Sequence, residues 1–275
     1  MAQGIIEDAT QGTTTEKRLA ALRARIHRIE AGSPDEGSAP EYHPLGFADI
    51  DRHLPGGGLA RGAVHEILAG DEGTRHRDAL DNGAALGFAL WLVAGMTGAR
   101  PWLWCAQNNA AAKAGDSAPY APALADFGLK PRRLLLARTA FERETLWAAE
   151  EGLATPALGA VLAEAASVSA IAARRLALAA RASGVPLILL RPEAEAAGPA
   201  ATRWRVCGAP GGAWEIALLR AGSVFPRRWR VLWRGAEGLQ PLPVDKDHDN
   251  RTPWQNFDRA AGAGPVVAAS ARGAA

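Results

Sequence analysis

Lysine is scarce in this 275-residue chain, and none of its lysines stands in a phosphate-binding motif. They are Lys17, Lys113, Lys130 and Lys246, and no serine or threonine follows any of them. The P-loop motif G-x-x-x-x-G-K-[ST] needs its lysine to reach the β- and γ-phosphates and its hydroxyl to hold Mg²⁺. An intact P-loop is therefore excluded. The other basic residues are arginines, which form bidentate pairs and stack where lysine does not.

Cysteine is rare, and metal-binding patterns and long apolar runs are missing. The two cysteines, Cys105 and Cys207, each lie in an apolar run, which favours buried thiols over a disulfide framework or a metal site. The six histidines show no metal-ligand spacing, so we expect no zinc. No signal sequence or uninterrupted apolar run of about 18 residues is present, which predicts a cytoplasmic protein without membrane contact.

Composition divides the chain into three parts. Residues 1–42 are predicted to hold a tethered N-terminal helix, 13–31, with Leu19, Leu22, Ile26 and Ile29 on one face, and a linker rich in Gly, Ser and Pro. Residues 43–240 form the predicted core. Residues 241–275 are rich in Pro and Asp, then in Ala and Gly, which predicts a largely disordered tail.

The core alternates apolar runs with helical segments. We expect strands at 63–68, 102–106, 133–137, 158–164 and 185–190, and helices at 79–93, 121–127, 142–152 and 169–181. This alternation predicts an α/β fold with a mostly parallel central sheet flanked by helices. Apolar and polar residues alternate at 202–207 and at 213–219, on the two sides of a Gly-rich turn, which predicts an appended β-hairpin. Residues 228–233 are predicted to form a further strand.

A glycine-containing loop follows the first predicted strand of the core. It contains Gly70 and Gly73, and Gly83 takes the place of the motif's last glycine in one alignment, which puts Ala84 and Ala85 where Lys and Ser/Thr belong. Four carboxylates in or near the loop oppose phosphate, and two arginines partly offset them: Asp71, Glu72, Asp78 and Asp81 against Arg75 and Arg77. We therefore interpret Gly70, Gly73 and Gly83 as a degenerate P-loop that holds no cofactor.

Two further positions correspond to those at which P-loop ATPases have a Mg²⁺-binding acid and a general base. Glu164 ends an apolar run, where an acid holds Mg²⁺ in such folds, but without the loop lysine an exposed strand-end carboxylate is the favoured interpretation. Gln107, Asn108 and Asn109 follow another strand, and amides cannot act as a general base at neutral pH. We expect neither a catalytic residue nor a metal site.

Arginine and tryptophan are concentrated near the end of the predicted core. The arginines are Arg203, Arg205, Arg220, Arg227, Arg228, Arg230 and Arg234, and the tryptophans are Trp204, Trp214, Trp229 and Trp233. The pattern fits single-stranded nucleic acid, through phosphate pairing and base stacking, or a protein interface. It also fits amphipathic strands with tryptophans inside and arginines in water, and all three interpretations stay open.

Residues 43–67, HPLGFADIDRHLPGGGLARGAVHEI, resemble the segment that precedes the P-loop in the RecA core. Together with Trp204–Val206, Trp214–Arg220 and the eroded loop, they make the chain resemble the ImuA family over about residues 45–220. This family comprises the RecA-like members of a bacterial damage-inducible mutagenesis cassette.

The resemblance implies a RecA-like core and an accessory role in translesion DNA synthesis under the SOS response. The implied partners are ImuB and an error-prone replicative-type DNA polymerase, with contacts to RecA also expected; DNA binding and self-association stay open. In this resemblance the position of RecA's loop lysine is Ala84, and that of its catalytic glutamate is Gln107 or Asn108. The glutamine that ends RecA's sensing strand corresponds to Arg191. These replacements predict that the chain is not an enzyme. The alternatives are an atypical ATPase using Arg75 or Arg77, a DNA-binding module, and a division inhibitor like SulA.

Overall fold

A nine-stranded sheet forms the centre of the structure, a computed structural model that describes residues 41–70, 79–108, 119–192, 198–222 and 226–242. The strands are β1 Tyr42–His43, β2 Leu59–Ala60, β3 Val64–Ala69, β4 Trp102–Gln107, β5 Leu134–Thr139, β6 Val161–Glu164, β7 Leu187–Arg191, β8 Thr202–Ala209, β9 Ala213–Ala221, β10 Arg227–Trp233 and β11 Leu239–Pro241. The helices are α1 Ala48–Asp51, α2 Ala79–Thr97, α3 Ala121–Asp126, α4 Glu142–Leu153 and α5 Ala170–Ser183. The predicted helix at 13–31 and the loop at 71–78 lie outside the described residues.

The strand order is β11-β10-β9-β8-β3-β7-β6-β4-β5. The six strands from β8 to β5 run parallel, whereas β9, β10 and β11 add to β8 in antiparallel fashion. Strands β1 and β2 form a separate pair. The predicted α/β fold, with a mostly parallel sheet flanked by helices and an appended hairpin, is therefore confirmed. No helix of the described residues has the length and hydropathy needed to cross a bilayer.

Several element bounds differ from those that the sequence predicts. The strand predicted at 158–164 begins only at Val161, because Gly159 N–H donates to the Pro101 carbonyl in a turn that passes close to Thr97. Tyr42, predicted to lie in a linker, pairs with Ala60. Pro241, predicted to begin the tail, pairs with Val231. Strands of two or three residues are too short to show periodicity, which is why the sequence does not reveal them.

Two apolar cores cover the two faces of the sheet. One face packs against α2, whose Phe88, Leu92 and Met96 are fully buried against the strands. The other packs against α4 and α5 through residues such as Leu153 and Leu176. Alanine and leucine, neither of which is branched at Cβ, favour the helical state of α2. The helix is buried on nearly every side.

The glycine run before β3 is required by close packing. Gly56 has φ +65°, and a Cβ atom there would overlap the Tyr42 ring. A Cβ at Gly58 would overlap the His43 and Pro44 backbone. These glycines therefore let β1 cross close to the turn that leads into β2 and β3.

A buried chain of hydrogen bonds joins β2, β3 and β8 through His65. Its Nε2 lies 2.9 Å from the Ala60 carbonyl oxygen, which can only accept, so Nε2 carries the proton. Nδ1 therefore accepts from the Thr202 hydroxyl at 2.9 Å, and the Thr202 oxygen accepts from Trp204 Nε1 at 2.8 Å. Burial lowers the pKa of His65 to about 4, partly opposed by the bond to Ala60.

The neutral state of His65 makes the stability of the fold dependent on pH. The unfolded state binds a proton near the ordinary histidine pKa of 6.5, while the folded state binds it only near 4, so stability is complete above 6.5 and falls as pH drops toward 4. This shift corresponds to a loss of about 3 kcal/mol across that window. We expect urea denaturation to show that the free energy of unfolding of His65→Gln does not fall in this way between pH 6.5 and 4. His53→Gln, at a half-buried histidine beside Trp229, should still show the loss, and equal slopes in wild type and His65→Gln would contradict the assignment.

Candidate functional site

The candidate site is the edge of the sheet where β3, β4, β6 and β7 have their carboxyl ends. In open parallel sheets this is the edge at which ligands bind. Strand β3 ends next to Gly70, which has φ +81° and whose N–H donates to the Val206 carbonyl at 3.0 Å. Gly73 and both loop arginines, Arg75 and Arg77, lie outside the described residues.

The alignment that uses Gly83 places the missing residues inside α2. Gly83 is the fifth residue of this helix, beyond the first turn whose N–H groups are free to bind an anion. Ala84 is 4% exposed and Ala85 is fully buried in the core. On this alignment, the side chains at the lysine and hydroxyl positions are methyl groups in the apolar core.

Glu164 at the end of β6 is engaged by a neighbouring tryptophan. Trp104 Nε1 on β4 donates to Glu164 Oε1 at 2.6 Å. Burial raises the pKa of Glu164, and the bond from Trp104 and the charge of Arg138 lower it by less. The favoured interpretation of an exposed carboxylate is thus wrong, because β4 is adjacent to β6 and brings the indole over the carboxyl group.

The end of β4 continues the ladder with β5. Asn108 N–H donates to the Thr139 carbonyl at 2.8 Å, and Arg138 Nη1 donates to the Gln107 carbonyl at 3.3 Å. Both Gln107 and Asn108 are exposed. Asn109 lies outside the described residues. Within the described ranges, no three His, Cys, Asp or Glu side chains come together as a metal site requires.

Arg191, at the end of β7, pairs with a buried carboxylate that sequence reasoning missed. Its Nη1 lies 2.7 Å from Glu66 Oε1, and both side chains are almost fully buried. The second oxygen of Glu66 accepts from Arg203 Nε on β8. A cavity of about 480 Å³ between α5 and the sheet borders this cluster, with Val64, Ser169 and Arg174 among its lining residues. Arg191 is therefore committed to a buried ion pair.

The tryptophans of the hairpin region pack on the α2 side of the sheet. Trp204 contacts Phe88 at a ring distance of 5.3 Å, and Trp233 stacks on Phe127 at 4.5 Å and on Trp214 at 6.0 Å. Trp229 contacts Trp204 and His53. A Cβ at Gly87 of α2 would overlap the Trp214 ring, which shows how closely helix and hairpin approach.

The arginines mostly occupy the opposite face of the same strands. Arg203 is opposite Arg220, and Arg205 and Arg228 are each opposite Ala217, while Arg230 is opposite Glu215. Arg220 donates to the carbonyl oxygens of Gly198 and Ala200. Arg227 and Arg234 are exposed at the two ends of β10. Of the three open interpretations, the geometry favours amphipathic strands, because the tryptophan rings and the arginine groups face opposite sides and cannot stack and pair with one strand of nucleic acid together.

Comparison with known proteins gives related sequences and a solved structure that aligns with part of the chain. The chain is 32% identical to Protein ImuA of Caulobacter vibrioides, in two strains, over 213 residues that cover 72% of this chain and 79% of the relative. No family model matches the chain. The crystal structure of the RadB recombinase aligns with 72% of this chain and 99% of its own, with a TM-score of 0.49 and 13% identity.

The bond between Trp104 and Glu164 can be tested by removing its donor. We expect Trp104→Phe to lose about 1–3 kcal/mol of stability, because a half-buried carboxylate is left without that hydrogen bond. The bond lowers the pKa of Glu164, so its removal raises this pKa further, and the loss should grow as pH rises from 5 to 8 in urea denaturation.

Trp102→Phe is the matched control for this variant. Trp102 lies on the same strand with its ring centroid 6.0 Å from that of Trp104, and its Nε1 has no hydrogen-bond partner. Its replacement removes the same ring atoms without removing a bond, so its cost should not depend on pH. A loss of stability in Trp104→Phe that is equal at pH 5 and pH 8 would contradict the proposed hydrogen bond from the indole to Glu164.

Proposed function

Because the chain belongs to the ImuA family, we propose that it acts as a non-catalytic RecA-like accessory protein of a damage-inducible mutagenesis cassette. Its task in this proposal is that of an adaptor in SOS-induced, error-prone translesion DNA synthesis. The partners are ImuB, the error-prone replicative-type polymerase and RecA.

The main observation that supports a non-catalytic role is that Glu164 accepts a hydrogen bond from Trp104. An acid at this position holds Mg²⁺ in P-loop enzymes, usually through water. Here Trp104 donates to one carboxyl oxygen at 2.6 Å, and burial favours the protonated form by raising the pKa. A carboxyl group whose burial opposes ionisation, and whose oxygen already accepts an indole hydrogen bond, is a poor partner for a divalent cation.

Two other features support the same conclusion. Ala84 and Ala85 are buried where the alternative alignment requires a lysine and a hydroxyl. Arg191 at the end of β7 is held by Glu66 at 2.7 Å, so its charge is neutralised inside the protein. Electrostatic stabilisation is the main work of a phosphoryl-transfer site, and these residues offer no free cation for it.

The adaptor part of the proposal is supported by apolar side chains on the outer surface of α4 and α5. Trp147 is 61% exposed and lies on α4 opposite the buried Thr145 and Ala149. Ile171 is 77% and Leu178 57% exposed on α5, which packs beside α4. Large apolar residues exposed on two adjacent helices make this surface a candidate protein contact site.

Calorimetry with ATP and Mg²⁺ on the full chain, with and without single-stranded DNA, tests the non-catalytic role. We expect no saturable heat and no phosphate release, because the lysine, the Mg²⁺ hydroxyl and an available carboxylate are all lacking. Saturable binding with turnover, abolished in Arg75→Ala or Arg77→Ala, would instead establish the atypical ATPase.

Co-purification from cells that express tagged chain tests the adaptor role. We expect ImuB and RecA to be retained, and Trp147→Ala to weaken this retention because it removes the largest exposed ring on the α4–α5 surface. Tyr120→Ala is the matched control, since Tyr120 is 73% exposed but precedes α3 on the other side of the sheet. Failure to retain either partner would reject the adaptor.

A further inference from the structure

The cavity of about 480 Å³ between α5 and strands β3 and β7 has the form of a binding site, and we name it the α5 pocket. Much of its buried lining is apolar and consists of Val64, Leu176 and Leu189. Ala170 and Arg174 of α5 also line it and are exposed, so the pocket opens to solvent at the start of this helix. Binding sites are commonly clefts of about 300–1,000 Å³ with mostly apolar walls and a few polar groups.

The buried charges of the α5 pocket are paired within the fold. Glu66 and Arg191 both line the pocket, and they form the ion pair of 2.7 Å. The second oxygen of Glu66 accepts from Arg203. A ligand that brought its own charge to this depth would lose its hydration without gaining a free partner, which is costly. The part of a ligand that reaches the buried lining is therefore uncharged and largely apolar.

Arg174 is a cation at the opening of the α5 pocket. The next residue, Arg175, binds Glu150 at 2.7 Å, whereas Arg174 forms no ion pair within the described part of the chain. Ile171 and Leu178 are exposed, and with Arg174 they occupy positions i, i+3 and i+7 of α5, which share one face of a helix. The apolar pocket, the cation and the exposed apolar side chains therefore form one continuous surface along α5.

We propose that the α5 pocket binds a large apolar side chain of a partner protein, and that an acidic residue beside this side chain pairs with Arg174. The inference rests on the adaptor role and adds to it the chemistry of the segment that the partner supplies. A polypeptide fits this surface better than a free small molecule, because a ligand confined to the pocket would leave Ile171 and Leu178 in water. Large side chains that fill pockets, surrounded by contacts that exclude water, dominate the affinity of protein interfaces.

Titration of the full chain with two small probes, 3-phenylpropionate and 3-phenylpropionamide, tests the chemistry of the pocket. The probes share a phenyl group, and only the first has a carboxylate. In ligand-observed NMR we expect both to bind, the acid about 2–5-fold more tightly, because an exposed ion pair contributes about this much. Arg174→Gln should remove the difference, whereas Arg132→Gln, at an exposed arginine before β5, should keep it. Absence of binding, or equal affinities of acid and amide for the wild-type chain, would overturn the proposal.

Ala173→Leu tests whether the pocket itself is the site. Ala173 lines the pocket, and leucine preserves the helix while its side chain occupies the space. We expect the affinity for both probes to fall about tenfold or more, with the thermal unfolding transition retained. Ala182→Leu, at an exposed position of the same helix, is the matched control and should bind as the wild-type chain does. Undiminished binding to Ala173→Leu would show that the probes bind elsewhere and would overturn the proposal.

Co-purification with ImuB and RecA decides whether a partner uses the pocket. We expect Ala173→Leu and Arg174→Glu each to reduce the retention of a partner several-fold, and Ala182→Leu to leave it unchanged. Probe binding combined with full retention in both pocket variants would make the pocket a site for a free small molecule, which overturns this inference and leaves the adaptor role standing. No retention by the wild-type chain would reject the adaptor role, and with it the partner segment.

Discussion

The buried carboxylate of Glu66 links the two halves of the sheet. It lies on β3, where the parallel strands meet the strand that begins the hairpin, and it accepts from Arg191 of β7 and Arg203 of β8. A charge so deeply buried is tolerated only when its partners are in place, because desolvation costs several kcal/mol per ion. A one-residue slip of β3 would turn Glu66 to the opposite face of the sheet. Glu66, Arg191 and Arg203 would then all lose their ion-pair partners. The register of the central strands is thus tied to this cluster.

His65, the neighbouring residue, plays the corresponding part on the other face of β3. Its ring bridges Ala60 of β2 and Thr202 of β8 as a neutral donor and acceptor. The short β1–β2 pair and the start of β8 are therefore attached to β3 by polar contacts, while α2 covers the same face with apolar ones. The two polar residues of an otherwise apolar strand serve the fold, which explains why an apolar run contains a histidine and a glutamate.

The sequence predicts local features of this fold better than distant ones. The apolar runs of β3, β4 and β7 indicate buried parallel strands, and the period-two pattern of β8–β10 predicts which residues share a face. It does not predict which face α2 covers, so the use of the tryptophans stayed open. The bond from Trp104 to Glu164 joins residues 60 positions apart, and it follows only from the order of strands, which places β6 between β7 and β4. No local pattern encodes that order.

The carboxyl edge of the sheet and the outer helix surface differ in how far their side chains find partners within the protein. At the edge, several polar groups are paired within the protein: Trp104 donates to Glu164, Arg191 Nη1 to Glu66, and Arg138 to the Gln107 carbonyl. On the outer side of α4 and α5, Trp147 and Ile171 remain exposed at a cost in solubility. A site that must bind phosphate keeps unsatisfied cations, whereas a surface that must bind protein keeps unsatisfied apolar area. Among the described residues, Glu164 and Arg191 have partners within the protein and Trp147 and Ile171 are exposed, and the proposed adaptor role is based on this distribution.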